Sequence, residues 1–325
     1  MRPRPFWSVM IPTYNRTTYL ERALCSVLSQ DPGAAVMQIE VVDNASPVDD
    51  PEPLVRRVGG DRVSFVRQPR NIGMFPNFNS CIERSRGHWV QILSDDDVVF
   101  PGFYERFRPA LEGRNEVGAG FCRNAFIDEN ERWLYTSELE SPTSGILPGF
   151  IERIGVNSII QCSSAVVRRS VYEQLGGFRT DFFAADWELW IRIAARYPIW
   201  YEPETLAAWR RHSLSCTTAI MRSAENVADA RRCIEISYFV LPPDRADTIS
   251  RNAKERLAFV AVSTAYGFGR KEFRSALNQI REGLKCSHSP RVIKALLVML
   301  GQLAMAGARK VVRRSRERLL RVKAS

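Results

Sequence analysis

Three consecutive aspartates, Asp95, Asp96 and Asp97, stand directly after an apolar segment of this chain. Carboxylates this close repel one another unless a cation lies among them. Their oxygens suit Mg²⁺ or Mn²⁺, either of which can in turn hold the oxygens of a diphosphate. Taken alone, the run equally fits a solvated acidic turn or a helix N-terminus, and that reading is the commoner one. Its significance depends on what the fold brings beside it.

Four other side chains have the chemistry to bind a nucleotide. Asp43 can accept a hydrogen bond from a base N–H, and Tyr14 can stack on that base. Arg16 and Arg70 offer planar forks for phosphate. Each residue also has an ordinary structural explanation, as a turn residue, an aromatic on a sheet or a surface charge. Only their joint placement favours a nucleotide site.

Two further residues could act on the reacting groups. Asp186 precedes an apolar helical pattern, so its carboxylate lies at a helix N-terminus that keeps it ionised and able to take a proton from a hydroxyl. The alternative is an ordinary N-cap. His212 follows Arg210 and Arg211, and these three can reach a diphosphate or its metal, although a lone histidine is more often structural.

The first hundred residues alternate strand and helix patterns. Four apolar segments predict strands, and these are Trp7–Ile11, stopped by Pro12, then Ile39–Val42, Val63–Val66 and Trp89–Leu93. Helical spacing of apolar residues between Leu20 and Leu28, and again over Pro76–Ser85, separates them. This alternation predicts an α/β fold with a mostly parallel sheet flanked by helices. The polar clusters that follow the strands should then share one cleft at the carboxyl ends of the sheet.

The remainder of the chain is expected to be helical. Capping-box spacing at Ser170 and a stop at Gly176-Gly177 predict a short helix, and another starts at Asp186, with Leu189, Trp190 and Ile193 facing inward. From about residue 222 the pattern is helical throughout. We therefore predict a catalytic domain over 1–220 and a helical C-terminal region over 221–325.

The charge is distributed unevenly between these regions. The chain of 325 residues has a net charge of +10, but residues 1–220 carry 24 basic against 27 acidic side chains and the rest carry 22 against 9. A slightly acidic body argues against a nucleic-acid-binding protein that uses the basic tail, which is one alternative function. Seven cysteines without a C-x-x-C pair argue against a disulfide framework and a zinc ribbon. The N-terminus lacks the apolar region of a secretory signal, which favours a cytoplasmic protein.

Taken in order, these stretches resemble glycosyltransferase family 2, whose members are inverting transferases of the GT-A fold that use nucleotide-diphospho-sugars. The resemblance covers about residues 7–215. It rests on Ser8-Val9-Met10-Ile11-Pro12-Thr13-Tyr14-Asn15-Arg16, Val41-Val42-Asp43-Asn44-Ala45-Ser46, Arg70-Asn71-Ile72-Gly73, Ser94-Asp95-Asp96-Asp97, Leu175-Gly176-Gly177-Phe178, Asp186-Trp187-Glu188-Leu189-Trp190 and Arg210-Arg211-His212.

The resemblance implies a role for each of these segments. Nucleoside binding falls to Pro12, Thr13, Tyr14, Arg16 and Asp43. The rest of the nucleotide-sugar site is expected at Arg70, Asn71, Gly73, Asp95, Asp96 and Arg211. The metal, Mg²⁺ or Mn²⁺, falls to Asp95, Asp96, Asp97 and His212. Asp186 is the base of a single displacement that inverts the anomeric carbon. The sequence departs from the family at Ser94 and Ala185, where an acidic residue is common, which leaves the principal metal ligand open.

The segment Asn71–Asn79, followed by the aspartates, resembles the branch that makes bacterial surface polysaccharides, which implies a saccharide or lipid-linked saccharide acceptor. Val292–Ala308 is mostly apolar and Arg309–Lys323 is densely basic. This pattern predicts a helix lying on an anionic membrane, at the inner face of the plasma membrane, with a packed helix and solvated basic end as the alternative. A sugar nucleotidyltransferase is the second enzymatic possibility, but Pro12-Thr13-Tyr14-Asn15 is not the glycine-rich loop that such enzymes need.

Overall fold

The computed structural model describes residues 4–212, 216–269, 271–302 and 305, and only the backbone of 216–219. The chain forms two compact units. One contains the residues up to 213 together with 237–244, and the other contains 214–236 and the residues from 245 onward. The units are described separately below.

The first unit is built on one ten-stranded sheet. Its strands are β1 Trp7–Thr13, β2 Met37–Asp43, β3 Ser64–Arg67, β4 Trp89–Ile92, β5 Val98–Val99, β6 Ala119–Ile127, β7 Trp133–Thr136, β8 Gly145–Ile146, β9 Ala165–Arg168 and β10 Ile199–Arg210. They follow the order β3-β2-β1-β4-β9-β6-β10-β5, with β7 on β6 and β8 on β10. Strands β3, β2, β1 and β4 pair in parallel, as do β6 and β10, and the other pairs are antiparallel.

Helices flank this sheet in sequence order. They are α1 Thr17–Leu28, α2 Glu52–Gly59, α3 Met74–Arg84, α4 Phe103–Leu111, α5 Phe150–Ile154, α6 Arg169–Leu175 and α7 Ala185–Ala194. Short 3-10 helices occupy Gly60–Arg62, Cys162–Ser164 and Tyr238–Val240. The prediction of an α/β fold with helices around the sheet is confirmed, and the sheet is parallel in its N-terminal half and mixed beyond it.

The first strand is longer than its sequence suggested. Pro12 does not stop it, because β1 continues to Thr13 and pairs Pro12 with Val42 and Thr13 with Asp43. On its other side β1 is paired with β4 only as far as Met10. Proline lacks the N–H for a ladder bond, but at this position one neighbouring strand has already ended.

The core of this unit lies between the sheet and its helices. Helix α1 buries Leu20, Ala23, Leu24 and Val27, the apolar face that its spacing predicted. The turn before β4 approaches β1 so closely that a Cβ on Gly87 would lie 2.5 Å from the backbone nitrogen of Ser8. Only glycine fits there without displacing the strand.

Two helices in the second half of the unit test the capping predictions. The capping box at Ser170 is wrong, because α6 begins one residue earlier at Arg169 and its N-cap, Arg168, makes no side-chain cap bond. Its end at Gly176, in the left-handed region with φ 81°, is as predicted. Helix α7 begins at Ala185 and buries Leu189, Trp190 and Ile193, as its pattern indicated.

The second unit is helical. Its helices are α8 Cys216–Ser223, α9 Glu225–Ser237, α10 Ala246–Phe268, α11 Phe273–Cys286 and α12 over 290–302. Helices α10 and α11 pack at small residues, where a Cβ on Gly283 would lie 2.7 Å from that of Ala261. In the part of the chain that the structure covers, no helix has both the length and the apolar character needed to cross a bilayer. The basic segment Arg309–Lys323 lies outside the described residues.

Candidate active site

The aspartate run lies at the carboxyl end of β4, beside the loop that follows β1. The Thr13 hydroxyl donates to Oδ2 of Asp95 at 2.6 Å, although 82 residues separate the two in sequence. Arg16 donates to Oδ1 of Asp95 at 3.1 Å and also forms an ion pair with Asp96. Parallel pairing of β1 with β4 brings these loops to one edge of the sheet, as the strand pattern predicted.

The end of β10 closes the other side of the run. Nε2 of His212 lies 2.9 Å from Oδ2 of Asp96, and the imidazole is buried against the Tyr19 ring. The backbone N–H of Arg210 donates to Oδ1 of Asp97 at 2.9 Å, and its guanidinium donates to the Asp96 carbonyl at 2.8 Å. Residues from three distant parts of the chain therefore surround the three carboxylates.

The carboxylates have shifted proton affinities. Burial, and then the negative charge of Asp96, raise the pKa of Asp95 to about 7, against the opposing effects of Arg16 and Thr13. The same two causes raise the pKa of Asp97 well above its ordinary value. The neighbouring cations thus compensate only part of the negative charge gathered here, and a bound cation would favour the ionised forms.

The loops after β1 and β2 form a second part of the site. Asp43 is fully buried at the end of β2, where its carboxylate accepts from the Ser46 hydroxyl at 2.5 Å and from Nε of Arg67 at 2.7 Å. The Asn15 backbone N–H donates to the Ser46 hydroxyl at 2.8 Å. Asn15 and Ala45 adopt left-handed backbone conformations, with φ 48° and 59°. Non-glycine residues rarely do so, and such residues concentrate at functional loops.

The loop before α3 is tied to the same place. Oδ1 of Asn71 accepts from the Asn44 side chain at 3.0 Å and from the Gly73 N–H at 2.9 Å. Asn44 also bonds the Gly73 carbonyl and the Ile72 N–H. The Arg70–Gly73 segment is therefore fixed next to the Asp43 loop by Asn44.

Asp186 begins α7 and is partly buried. Its Oδ1 accepts from the Trp187 N–H at 2.7 Å. Burial raises its pKa to about 6, and that N–H opposes the rise. The Cys162 thiol lies close enough to both Asp186 and Asp97 that their charges, after burial itself, raise its pKa. Cys162 thus marks the point where α7 approaches the aspartate run.

The predicted residues do not all meet in one network. Tyr14 is 40% exposed, so its ring is open to a stacking partner. Arg70 and Arg211 are exposed, and among the described residues neither makes the contacts with the aspartates that Arg16 makes. Arg211 bonds the Ile127 carbonyl through its backbone N–H at 2.8 Å.

Two arginines of the site were not assigned from the sequence. Arg67 bonds Asp43, and Arg210, only 1% exposed, bonds both Asp96 and Asp97. Alternation along β10 could have identified Arg210, since it is buried with Ala208 while Arg211 is exposed. Nothing in the sequence distinguishes Arg67 from other strand-end arginines.

The donor set suits a hard divalent cation, since carboxylate oxygens and an imidazole nitrogen are ordinary ligands of Mg²⁺ and Mn²⁺. The raised pKa of Asp95 indicates that positive charge is wanted here. In the described residues, no three acidic, histidine or cysteine side chains are grouped as metal ligands, and Arg16 bonds both Asp95 and Asp96. The residues fit a metal provided that Arg16 turns away.

Comparison with known proteins gives a consistent result. The model of the family described as glycosyl transferase family 2 matches residues 8–176. An uncharacterized protein of Mycobacterium tuberculosis is 28% identical over 254 residues, which cover 74% of this chain and 77% of the relative. A GalNAc(5)-diNAcBac-PP-undecaprenol beta-1,3-glucosyltransferase of Campylobacter jejuni is 33% identical over 131 residues, or 38% of this chain and 40% of that one.

Solved structures share the fold. The mannosyltransferase PcManGT from Pyrobaculum calidifontis, in complex with GDP-Man and Mn²⁺, aligns with a TM-score of 0.61 and 18% identity over 94% of this chain and 81% of that chain. Residues 1–349 of TarS from S. aureus, in complex with UDP-GlcNAc, align with a TM-score of 0.63 and 16% identity over 89% and 83%. These similarities confirm the GT-A fold.

Proposed function

Because the chain belongs to glycosyl transferase family 2, we propose that it moves a sugar from a nucleotide-diphosphate donor to a hydroxyl of a saccharide acceptor, in one displacement that inverts the anomeric carbon. The observation that carries this proposal is the convergence of Thr13, Arg16 and His212 on the aspartate run. These residues come from loops of separate strands, and no structural need of the sheet requires them to meet.

The donor's nucleoside is assigned to the loops after β1 and β2. Tyr14 offers an exposed ring for the base, and Asp43 can accept from a ring N–H. The bonds from Ser46 and Arg67 hold the Asp43 carboxylate in one orientation. Pro12 ends the paired strand beneath them. Arg16, now held by Asp95 and Asp96, is well placed to turn to the diphosphate, with Arg70 and Arg211 as exposed cations nearby in the chain.

The proton transfer is assigned to Asp186. A base must be ionised at the working pH, and a pKa of about 6 leaves the carboxylate ionised at neutral pH yet more basic than an ordinary aspartate. It would remove the proton from the acceptor hydroxyl as that oxygen attacks the sugar. The Trp187 N–H keeps one carboxylate oxygen in place, which leaves the other for the hydroxyl.

Mg²⁺ or Mn²⁺ is assigned to Asp95, Asp96, Asp97 and His212. When bound, the cation supplies charge that stabilises the departing diphosphate. The Mn²⁺ present with GDP-Man in the mannosyltransferase structure supports this assignment. Arg210 would hold the run in place through its bonds to Asp96 and Asp97.

The acceptor is proposed to be a lipid-linked or polymeric saccharide of the cell surface, in keeping with the name of the Campylobacter relative. The transfer is assigned to residues 1–220, and 221–325 to attachment at the anionic inner face of the plasma membrane. The basic segment 309–323 supports that attachment by its charge.

A thermal-shift panel tests the donor site. UDP, dTDP, GDP and, as a control, adenosine would each be added with and without Mn²⁺. We expect at least one of the diphosphates to raise the melting temperature, and to do so more with Mn²⁺, since a ligand that binds the folded state stabilises it. If no diphosphate shifts the transition at millimolar concentration, the proposal is wrong.

A further inference from the structure

The hairpin between β6 and β7 presents an unusual exposed aromatic ring. Trp133 is 56% exposed, and its ring stacks on Phe100 with the centroids 5.5 Å apart and the planes 13° from parallel. Phe100 is in turn packed against the buried side chains Ala125, Ile127 and Ala208. One face of the indole is therefore backed by a ring anchored in the core, and its orientation is fixed before any ligand arrives.

The hairpin is joined to the candidate active site by two routes. Phe100 follows Asp97 by three residues, across the short strand β5. Independently, Glu131 in the turn accepts from the Arg210 guanidinium at 3.2 Å, and that guanidinium bonds the Asp96 carbonyl. Trp133 thus flanks the aspartate run and does not lie on a remote surface.

The turn itself is held in a defined shape. Oδ1 of Asp128 accepts from the N–H groups of Asn130 and Arg132, at 2.8 and 3.0 Å. Glu131 adopts a left-handed conformation with φ 64°, which a non-glycine residue takes only when its surroundings hold it there. Its carboxylate lies between Arg22 and Arg210.

The charge around the ring selects its partner. Over 128–140 the chain carries five acidic side chains and one basic one, Arg132. An anionic lipid surface or another polyanion would be repelled here, whereas Lys and Arg would be needed to attract it. A neutral sugar suits this place, since the C–H groups on one face of a pyranose pack on an aromatic face and carboxylates accept from hydroxyls.

We propose that Trp133, backed by Phe100, is a stacking platform for a sugar ring of the acceptor saccharide. The platform would hold the acceptor beside the aspartate run while leaving the donor site untouched. This inference rests on the proposed function, because it assumes that the transferred sugar goes to a saccharide.

The test compares full-length Trp133→Ala, Trp133→Phe and wild type, with Leu139→Ala as the matched control, since Leu139 is a 52% exposed apolar side chain of the same region without a ring. The probe is an array of bacterial surface oligosaccharides, read as the dissociation constant for each glycan bound by wild type. Loss of the indole should weaken this binding by about two- to tenfold. Trp133→Phe should restore most of it, and Leu139→Ala should leave it unchanged.

Two parallel measurements separate the possible failures. If UDP or GDP with Mn²⁺ shifts the melting temperature of every variant equally, yet wild type binds no glycan or binds as Trp133→Ala does, the platform is refuted and the transferase assignment stands. If no nucleotide diphosphate binds wild type, the proposed function itself fails. Flotation with phosphatidylglycerol vesicles that falls in Trp133→Ala, without a change in glycan binding, would also overturn the inference by assigning the ring to a membrane.

Discussion

Replacing Asp186 with asparagine should abolish transfer and at the same time stabilise the folded chain. The asparagine keeps the shape of the side chain and the bond from the Trp187 N–H, but it cannot accept a proton from the acceptor. Removing a general base costs roughly 10²- to 10⁴-fold in rate. The stability effect follows from burial, which raises the pKa of Asp186 from 3.8 to about 6.

The size and sign of that effect depend on pH. Below pH 4 the carboxyl is protonated in both the folded and the unfolded chain and costs nothing. As pH rises from about 4 to 6, the unfolded chain releases the proton first, so the wild type loses stability, and the loss is complete above pH 6. A shift of roughly two pKa units corresponds to about 3 kcal/mol. The asparagine variant avoids this loss and should gain up to that amount at pH 7.5, but only about 1 kcal/mol at pH 4.5.

Urea unfolding of both proteins at the two pH values measures the difference directly. For a unit of this size, about 3 kcal/mol would appear in a thermal scan as roughly 6 °C or more. Asp61→Asn, at an exposed position in a 3-10 turn, is the control and should change stability by no more than about 0.5 kcal/mol at either pH. A variant no more stable than wild type at pH 7.5, or one whose gain is the same at both values, would refute the reasoning.

Three further predictions follow from the site and the sheet. The transfer rate should rise about tenfold per unit below pH 6 and level off above it, as Asp186 ionises; a rate profile that is flat from pH 5 to 7 would contradict this. Asp96→Asn, which removes the carboxylate shared by Arg16 and His212, should weaken Mn²⁺-dependent nucleotide binding at least about 10-fold in calorimetry, and equal affinity would remove Asp96 from the metal site. Gly87→Ala should cost about 1–3 kcal/mol or more in urea unfolding, because its Cβ would meet the β1 backbone at 2.5 Å. The control Gly267→Ala, whose Cβ would meet nothing within 4 Å, should cost nothing.

The N-terminal half of the fold was largely readable from the sequence. Buried parallel strands are continuous apolar runs, and β1, β2 and β4 stand out for that reason. Their parallel order predicts a shared edge, so the meeting of Thr13 with Asp95 could be anticipated without coordinates. The end of β1 was misjudged, because the proline rule takes no account of a neighbouring strand that stops at Met10.

The second half was less predictable. Strands β5, β7 and β8 have two to four residues, too few for a periodic signal. Antiparallel insertion of β9 between β4 and β6 depends on long-range pairing that no local pattern encodes. The particular partners inside the site, such as Arg67 on Asp43, depend on side-chain directions that residue type alone does not determine.

The thiol of Cys162, between Asp97 and Asp186, has a practical consequence for chemical labelling. Burial and the two neighbouring carboxylates raise its pKa, so it stays in the protonated form that reacts poorly with maleimides and peroxide. Cys25 is exposed on α1 and is open to such reagents. A fluorophore introduced by cysteine chemistry would therefore be directed to α1 in preference to Cys162, and the reaction centre would keep its native side chains.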